Sequence, residues 1–137
     1  MKILNTFKTV FFLLLTLAVI NSFAAENEKS YQVIDGKIDK NTFEGWRSFR
    51  GGTCGTCHGG AGQGGAGPNL TLSLVEKIDK EMFVKIVTNG SSGTLMKPFK
   101  NNNRVIDNLD NIYAYLKARS DGVLGPENLI KFPLGKK

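Results

Sequence analysis

An all-α domain of three to four helices is the fold predicted by this chain of 137 residues, and three features carry that expectation. Apolar residues recur at helical spacing, most clearly at Leu109, Ile112, Tyr113 and Leu116, which fall at i, i+3, i+4 and i+7. No alternation of strand-like and helix-like segments is present, and no dinucleotide fingerprint, heptad run or internal repeat. Glycine is abundant, at 16 residues, and crowds around positions 51–67, where it contributes no packing. A chain this small with that much glycine needs an added apolar body to complete its core.

The elements follow in order. Residues 25–40 are polar, with Tyr31 and Val33 in brief alternation, and read as an extended lead-in. A first helix starts with Asn41 or Thr42 as N-cap and carries Phe43, Trp46 and Phe49 on its apolar side. Gly45 lies inside it at a cost of about 1 kcal/mol in helix propensity, which a close helix contact would explain. A second helix covers Asp79 to Asn89 and ends at Gly90; a third runs from Asp107 to Ser120 and ends near Gly122. Residues 121–137, with Pro126 and Pro133, read as an irregular surface tail with a few docked apolar side chains.

Composition bounds the class. Eighteen basic residues against twelve acidic give a formal charge of +6, with 41% apolar and 22% charged residues. With a mean hydropathy of −0.15, this excludes both a disordered chain and a multi-span membrane protein. Residues 1–24 read as a secretory signal. Lys2 and Lys8 precede an apolar run from Val10 to Ile20, too short for the about 20 residues that span a bilayer. Ser22 and Ala24 then supply the small residues of a cleavage site. The expected compartment is the bacterial periplasm, with no stable membrane insertion after cleavage, and that address argues against nucleic acid as the partner of a basic protein.

The chemistry is carried by Cys54-Gly55-Thr56-Cys57-His58, a C-x-x-C-H motif. Two thiols three positions apart on one turn can each bond a vinyl group of one porphyrin, and the following imidazole then meets the iron; this is the signature of c-type haem attachment. Three other readings compete: a thioredoxin-like redox pair, a plain disulfide and half a zinc site. The first lacks its α/β context, the second has no use for His58, and the third lacks its remaining ligands. His58 is the one histidine of the chain. A ligating histidine needs a partner for its other ring nitrogen, and the carbonyl of Pro68, just past the glycine-rich stretch 59–67, is the candidate acceptor. A flexible linker is the plainer reading of that stretch. For the opposite face of the iron, Met96 lies in an irregular loop stiffened by Pro98, whereas Met82 falls on the helical spacing Leu74, Ile78, Met82, Ile86 and reads as core.

These residues resemble the class I cytochromes c. The matching parts are Gly45 to Phe49 (GWRSF), the CGTCHGG segment, Gly67 to Leu70 (GPNL), the Met96 loop and Asn111 to Lys117 (NIYAYLK). The resemblance implies a class I cytochrome c fold over 41–120, wrapped around one covalently attached haem c. Its first and last helices would cross at Gly45, Phe49 and Tyr115. Cys54 and Cys57 would form the thioethers, His58 and Met96 the axial ligands, and the Pro68 carbonyl the acceptor from His58. One departure is that Lys97 stands where the family commonly has proline. Two stretches, YQVIDGKIDKNTFEGWRSF (31–49) and YAYLKARSDGVLGP (113–126), are similar to the cytochrome c-L type acceptors of periplasmic quinoprotein (PQQ) alcohol and methanol dehydrogenases. The implied role is a monomeric one-electron carrier, not an enzyme, between such a dehydrogenase and a downstream cytochrome or oxidase. The alternatives are a general respiratory cytochrome serving a terminal oxidase and a haem enzyme or sensor with an open iron. From Met82 to Ile106 the chain carries Lys85, Lys97, Lys100 and Arg104 and no acid, which reads either as a patch steering an acidic partner or as a solvated face.

Overall fold

The computed structural model describes residues 29–126 and 129–131. The expected signal at 1–24 and the last residues of the tail lie outside the described residues. The architecture is mostly helical. Strands β1 (Val33–Ile34) and β2 (Lys37–Ile38) precede helices α1 (Lys40–Gly51), α2 (Gly55–His58), α3 (Leu70–Glu76), α4 (Lys80–Asn89), α5 (Asn103–Ile106) and α6 (Leu109–Ser120), and β3 (Ile130–Lys131) closes the order.

The lead-in is a hairpin rather than a plain extended segment. Val33 pairs with Ile38 and Ile34 with Lys37, antiparallel. The two-residue turn between them is Asp35-Gly36, with φ of 50° and 71°. Both values are positive, as a type I′ hairpin turn requires, and Asp-Gly is a preferred pair for it. The tail is tied back as well: β3 pairs parallel with β2, Lys37 facing Ile130 and Ile38 facing Lys131, and Leu124 is buried.

The N-cap of α1 is Asp39, not Asn41 or Thr42. Its Oδ1 accepts the Asn41 amide at 2.8 Å and the Thr42 amide at 3.0 Å, while Oδ2 accepts the Thr42 hydroxyl and the Gln32 amide. One carboxylate therefore starts the helix and fastens the hairpin to it. Burial raises the Asp39 pKa, but these hydrogen bonds outweigh it and hold the carboxyl below its ordinary value.

Six helices are present among the described residues, against the three to four expected. Two of them, α2 and α5, are single turns, too short to show a periodicity. The Leu74-to-Ile86 spacing crosses a break, since α3 ends at Glu76 and Asp79 caps α4 by accepting the Met82 amide at 2.8 Å. Met82 is not core: it is 46% exposed, because α4 buries its Phe83 and Val87 face instead.

The core forms where α1 crosses α6, and α3 also packs on α6. The Phe49 and Tyr115 rings meet at 5.6 Å, both almost fully buried. At the crossing, a Cβ on Gly45 would stand 1.8 Å from the Asn111 carbonyl oxygen, so only glycine lets the two backbones approach this closely. Phe83 on α4 packs against Tyr113 on α6 at 5.5 Å.

The two ends of the described chain also meet directly. The buried Tyr31 hydroxyl donates to Asp121 Oδ2 at 2.7 Å, and Lys117 pairs with the same carboxylate. Burial first, and the hydrogen bond to Asp121 second, push the Tyr31 pKa from 10.0 up to about 12. The folded state thus holds this proton more tightly than the unfolded chain. Its contribution to stability is complete below pH 10.0 and is lost as pH rises toward about 12. Asp121 has the opposite sign. Burial raises it, hydrogen bonds from Lys117 and Tyr31 prevail, and its net lowered pKa gives stability that is lost as pH falls through the folded value. Urea unfolding across the alkaline range is expected to show stability falling in that window. Tyr31→Phe should flatten the slope in part, with Tyr115, whose hydroxyl burial also pushes up, keeping the rest. An unchanged slope in Tyr31→Phe would refute the assignment.

Candidate haem site

The end of α1 prepares the motif. The Gly52 amide bonds back to Ser48 O at 2.7 Å, and Thr53 then turns the chain with a φ of 62°. This left-handed conformation is uncommon for a β-branched residue. The redirected chain starts α2 at once: Cys57 and His58 donate their amides to Cys54 O at 3.2 and 3.0 Å. Positions i, i+3 and i+4 of a helical turn share a face, so Cys54, Cys57 and His58 project together. Both thiols are free; Cys54 is half-buried and Cys57 exposed. Burial pushes the Cys54 thiol pKa up.

His58 is 9% exposed and is fixed by the loop that follows it. Its Nδ1 lies 2.8 Å from the Pro68 carbonyl oxygen. A carbonyl only accepts, so Nδ1 carries the proton in this pair and Nε2 keeps its lone pair for a metal. The stretch 59–67 is not a slack linker. Gly64 donates to His58 O at 2.7 Å and Gly67 to Cys57 O at 2.8 Å, which folds the loop back onto the motif. The imidazole lies against Gly67, where a Cβ would stand 3.0 Å from His58 Cε1. A larger residue there would push the ring out of position.

Met96 is half-buried and packs against the core from a closed loop. Ser91 donates its amide to Met96 O at 3.0 Å, and the Met96 amide donates to Thr94 Oγ1 at 3.1 Å. Phe99 anchors the far end by donating its amide to Val87 O at 3.0 Å. A cleft of about 300 Å³ separates the Gly51–Gly52–Thr53 turn, immediately before Cys54, from Lys97, Pro98 and Phe99, immediately after Met96. The donor set is two free thiols and a histidine with one nitrogen committed to a carbonyl, with a thioether in a braced loop. An open cleft lies beside the segments that carry them. That set fits a c-type haem.

A family model described as cytochrome c oxidase, cbb3-type, subunit III, matches residues 41–116. Cytochrome c-555 of Methylococcus capsulatus is 37% identical over 95 residues, covering 69% of this chain and 75% of that protein. The chain belongs to the c-type cytochromes. Cytochrome c-553I of Paracoccus denitrificans is 30% identical over 109 residues, and this cytochrome spans only 48% of its length. Among solved structures, the c-type cytochrome XoxG of Methylobacterium extorquens superposes with a TM-score of 0.65 at 25% identity, over 79% of this chain and 76% of that one. The cytochrome is thus a mono-haem electron carrier of class I fold, with one covalently bound haem c. Among the described residues, no helix is long and apolar enough to cross a membrane.

The structure draws Cys54, Cys57, His58 and Pro68 into one unit and places Met96 in a separate braced loop. Sequence reasoning missed Asp39, Gln63 and Arg119. For Asp39 the signal was available, because an aspartate directly before the first turn outranks threonine as a cap. For the other two, the partners are backbone groups of Ala61, two residues from Gln63 and 58 from Arg119, and no sequence pattern marks them.

Proposed function

We propose that this cytochrome is a periplasmic one-electron carrier that accepts electrons from a PQQ-dependent alcohol or methanol dehydrogenase and passes them to a downstream cytochrome or oxidase. The observation that carries the reading is the union of the two stretches similar to the cytochrome c-L type acceptors. Residues 31–49 and 113–126 are folded together through Tyr31 on Asp121 and Phe49 on Tyr115. The likeness to XoxG supports it further.

Bound at Cys54 and Cys57, haem c supplies an iron that gains and loses one electron. The chain's own residues hold that centre still. Cys54 and Cys57 would hold its edge from one turn, and His58, locked by Pro68 and Gly67, would supply Nε2 to the iron. Met96, in its closed loop, would supply the thioether sulfur. Rigid ligands keep the rearrangement accompanying each electron small. Lys97 and Arg104 are exposed beside the turn that precedes Cys54, Arg104 lying against Gly51, and no acid offsets them between Met82 and Ile106. Such a face steers an acidic partner.

Stopped-flow mixing with a purified quinoprotein methanol dehydrogenase is expected to give rapid reduction. Raising ionic strength from about 0.01 M to about 0.2 M should slow it roughly tenfold as the Debye length shrinks. No reduction at physiological concentrations would remove this donor. The family description names an oxidase subunit, which favours a second reading as a general respiratory carrier. In that case reduction should come from a respiratory donor and not from the dehydrogenase.

A further inference from the structure

The loop that leaves His58 and returns at Pro68 is rich in glycine, so it has few side chains with which to hold its own shape. Its bend is gripped at Ala61, which is buried. The Ala61 amide donates to Gln63 Oε1 at 2.8 Å, and the Ala61 carbonyl accepts from Arg119 Nε at 3.1 Å. Arg119 comes from the last turn of α6, 58 residues away. A second nitrogen of its guanidinium donates to Leu124 O at 2.7 Å. Arg119 forms no ion pair among the described residues, so its donors are spent on two backbone carbonyls. The grip passes directly to the return strand of the loop. Gly62, next to Ala61, accepts the Leu70 amide at 2.8 Å, two residues beyond Pro68. Ser120, next to Arg119, donates to Thr71 O at 2.7 Å.

We propose that Arg119 is a positioning residue for His58: it fixes the Ala61 peptide, and so the course of the loop that presents the Pro68 carbonyl to His58 Nδ1. A guanidinium suits the task because its planar fork can reach two carbonyls at once. A firm acceptor on Nδ1 raises the basicity of the imidazole toward a metal; a loosened one lowers it, which moves the reduction potential upward. The inference rests on His58 being the haem ligand.

The test uses the full haem-bearing protein and its Arg119→Gln, Arg119→Lys and Gln63→Ala variants. Haem content is read by mass, amide hydrogen exchange by NMR, and the midpoint potential by titration. In Arg119→Gln the amides of Gly62, Gly64, Gly67 and Leu70 are expected to exchange at least about tenfold faster, with those of α1 and α4 unchanged. The potential should rise in the same variant. Arg119→Lys should restore part of both, because an ammonium reaches one carbonyl where the fork reached two. Gln63 is exposed, so Gln63→Ala should fold even if Arg119→Gln does not, and it should show the same local acceleration. Unchanged loop exchange in these variants, or acceleration spread evenly over the domain, overturns the proposal. Absence of covalent haem from the wild-type protein overturns it together with the site itself, whereas a haem-bearing wild type with indifferent variants overturns it alone.

Discussion

Gly45→Val is expected to cost the fold on the order of 3 kcal/mol or more, the upper end of what overpacking does. The reason is local and severe. A Cβ at this position meets the Asn111 carbonyl oxygen at 1.8 Å and its carbon at 2.3 Å, and both belong to helix backbone that cannot rotate away. The helices α1 and α6 must separate, and the Phe49–Tyr115 contact and the burial of Ile112 loosen with them. Against a total stability of about 5–15 kcal/mol this is a large share. Thermal unfolding of the haem-bearing protein should shift down by roughly 10–20 °C. Gly45→Ala should fall part of the way. A midpoint within about 2 °C of wild type for Gly45→Val would show that the two helices are not in backbone contact.

Met96→Ala is expected to open the second axial position. The far-red sulfur-to-iron band should vanish from the ferric spectrum, the ferrous protein should take up carbon monoxide, and the reduction potential should fall, since a thioether ligand raises it. Met82→Ala is the matched control. Met82 lies on the exposed side of α4 and should leave all three readings as they are. Retention of the band in Met96→Ala, or its loss in Met82→Ala, would reassign the ligand.

What could be read from the chain alone was the chemistry that depends on short spacing. The C-x-x-C-H turn, the Pro68 acceptor ten residues on and the Gly45 contact each come from rules about which side chains one turn, one loop or one helix crossing can bring together. The α6 helix was legible because apolar residues repeat at helical spacing from Leu109 to Leu116, within a helix of 12 residues. Single turns such as α5 are too short for periodicity to show, and the break between α3 and α4 was masked by apolar residues that happen to stay in step across it. The Asp35-Gly36 turn did carry a hairpin signal, but two-residue strands give almost no alternation to confirm it. The Arg119 grip on Ala61 was beyond reach for a different reason. Its acceptor is a backbone carbonyl 58 residues away, and every residue has one.

The central claim is that one haem is covalently held through Cys54 and Cys57. Intact mass spectrometry of the purified protein under denaturing conditions tests it most directly. The expected result is a polypeptide heavier by one haem, with the addition gone from the Cys54→Ala/Cys57→Ala double variant. A wild-type polypeptide that carries no such addition would contradict the account.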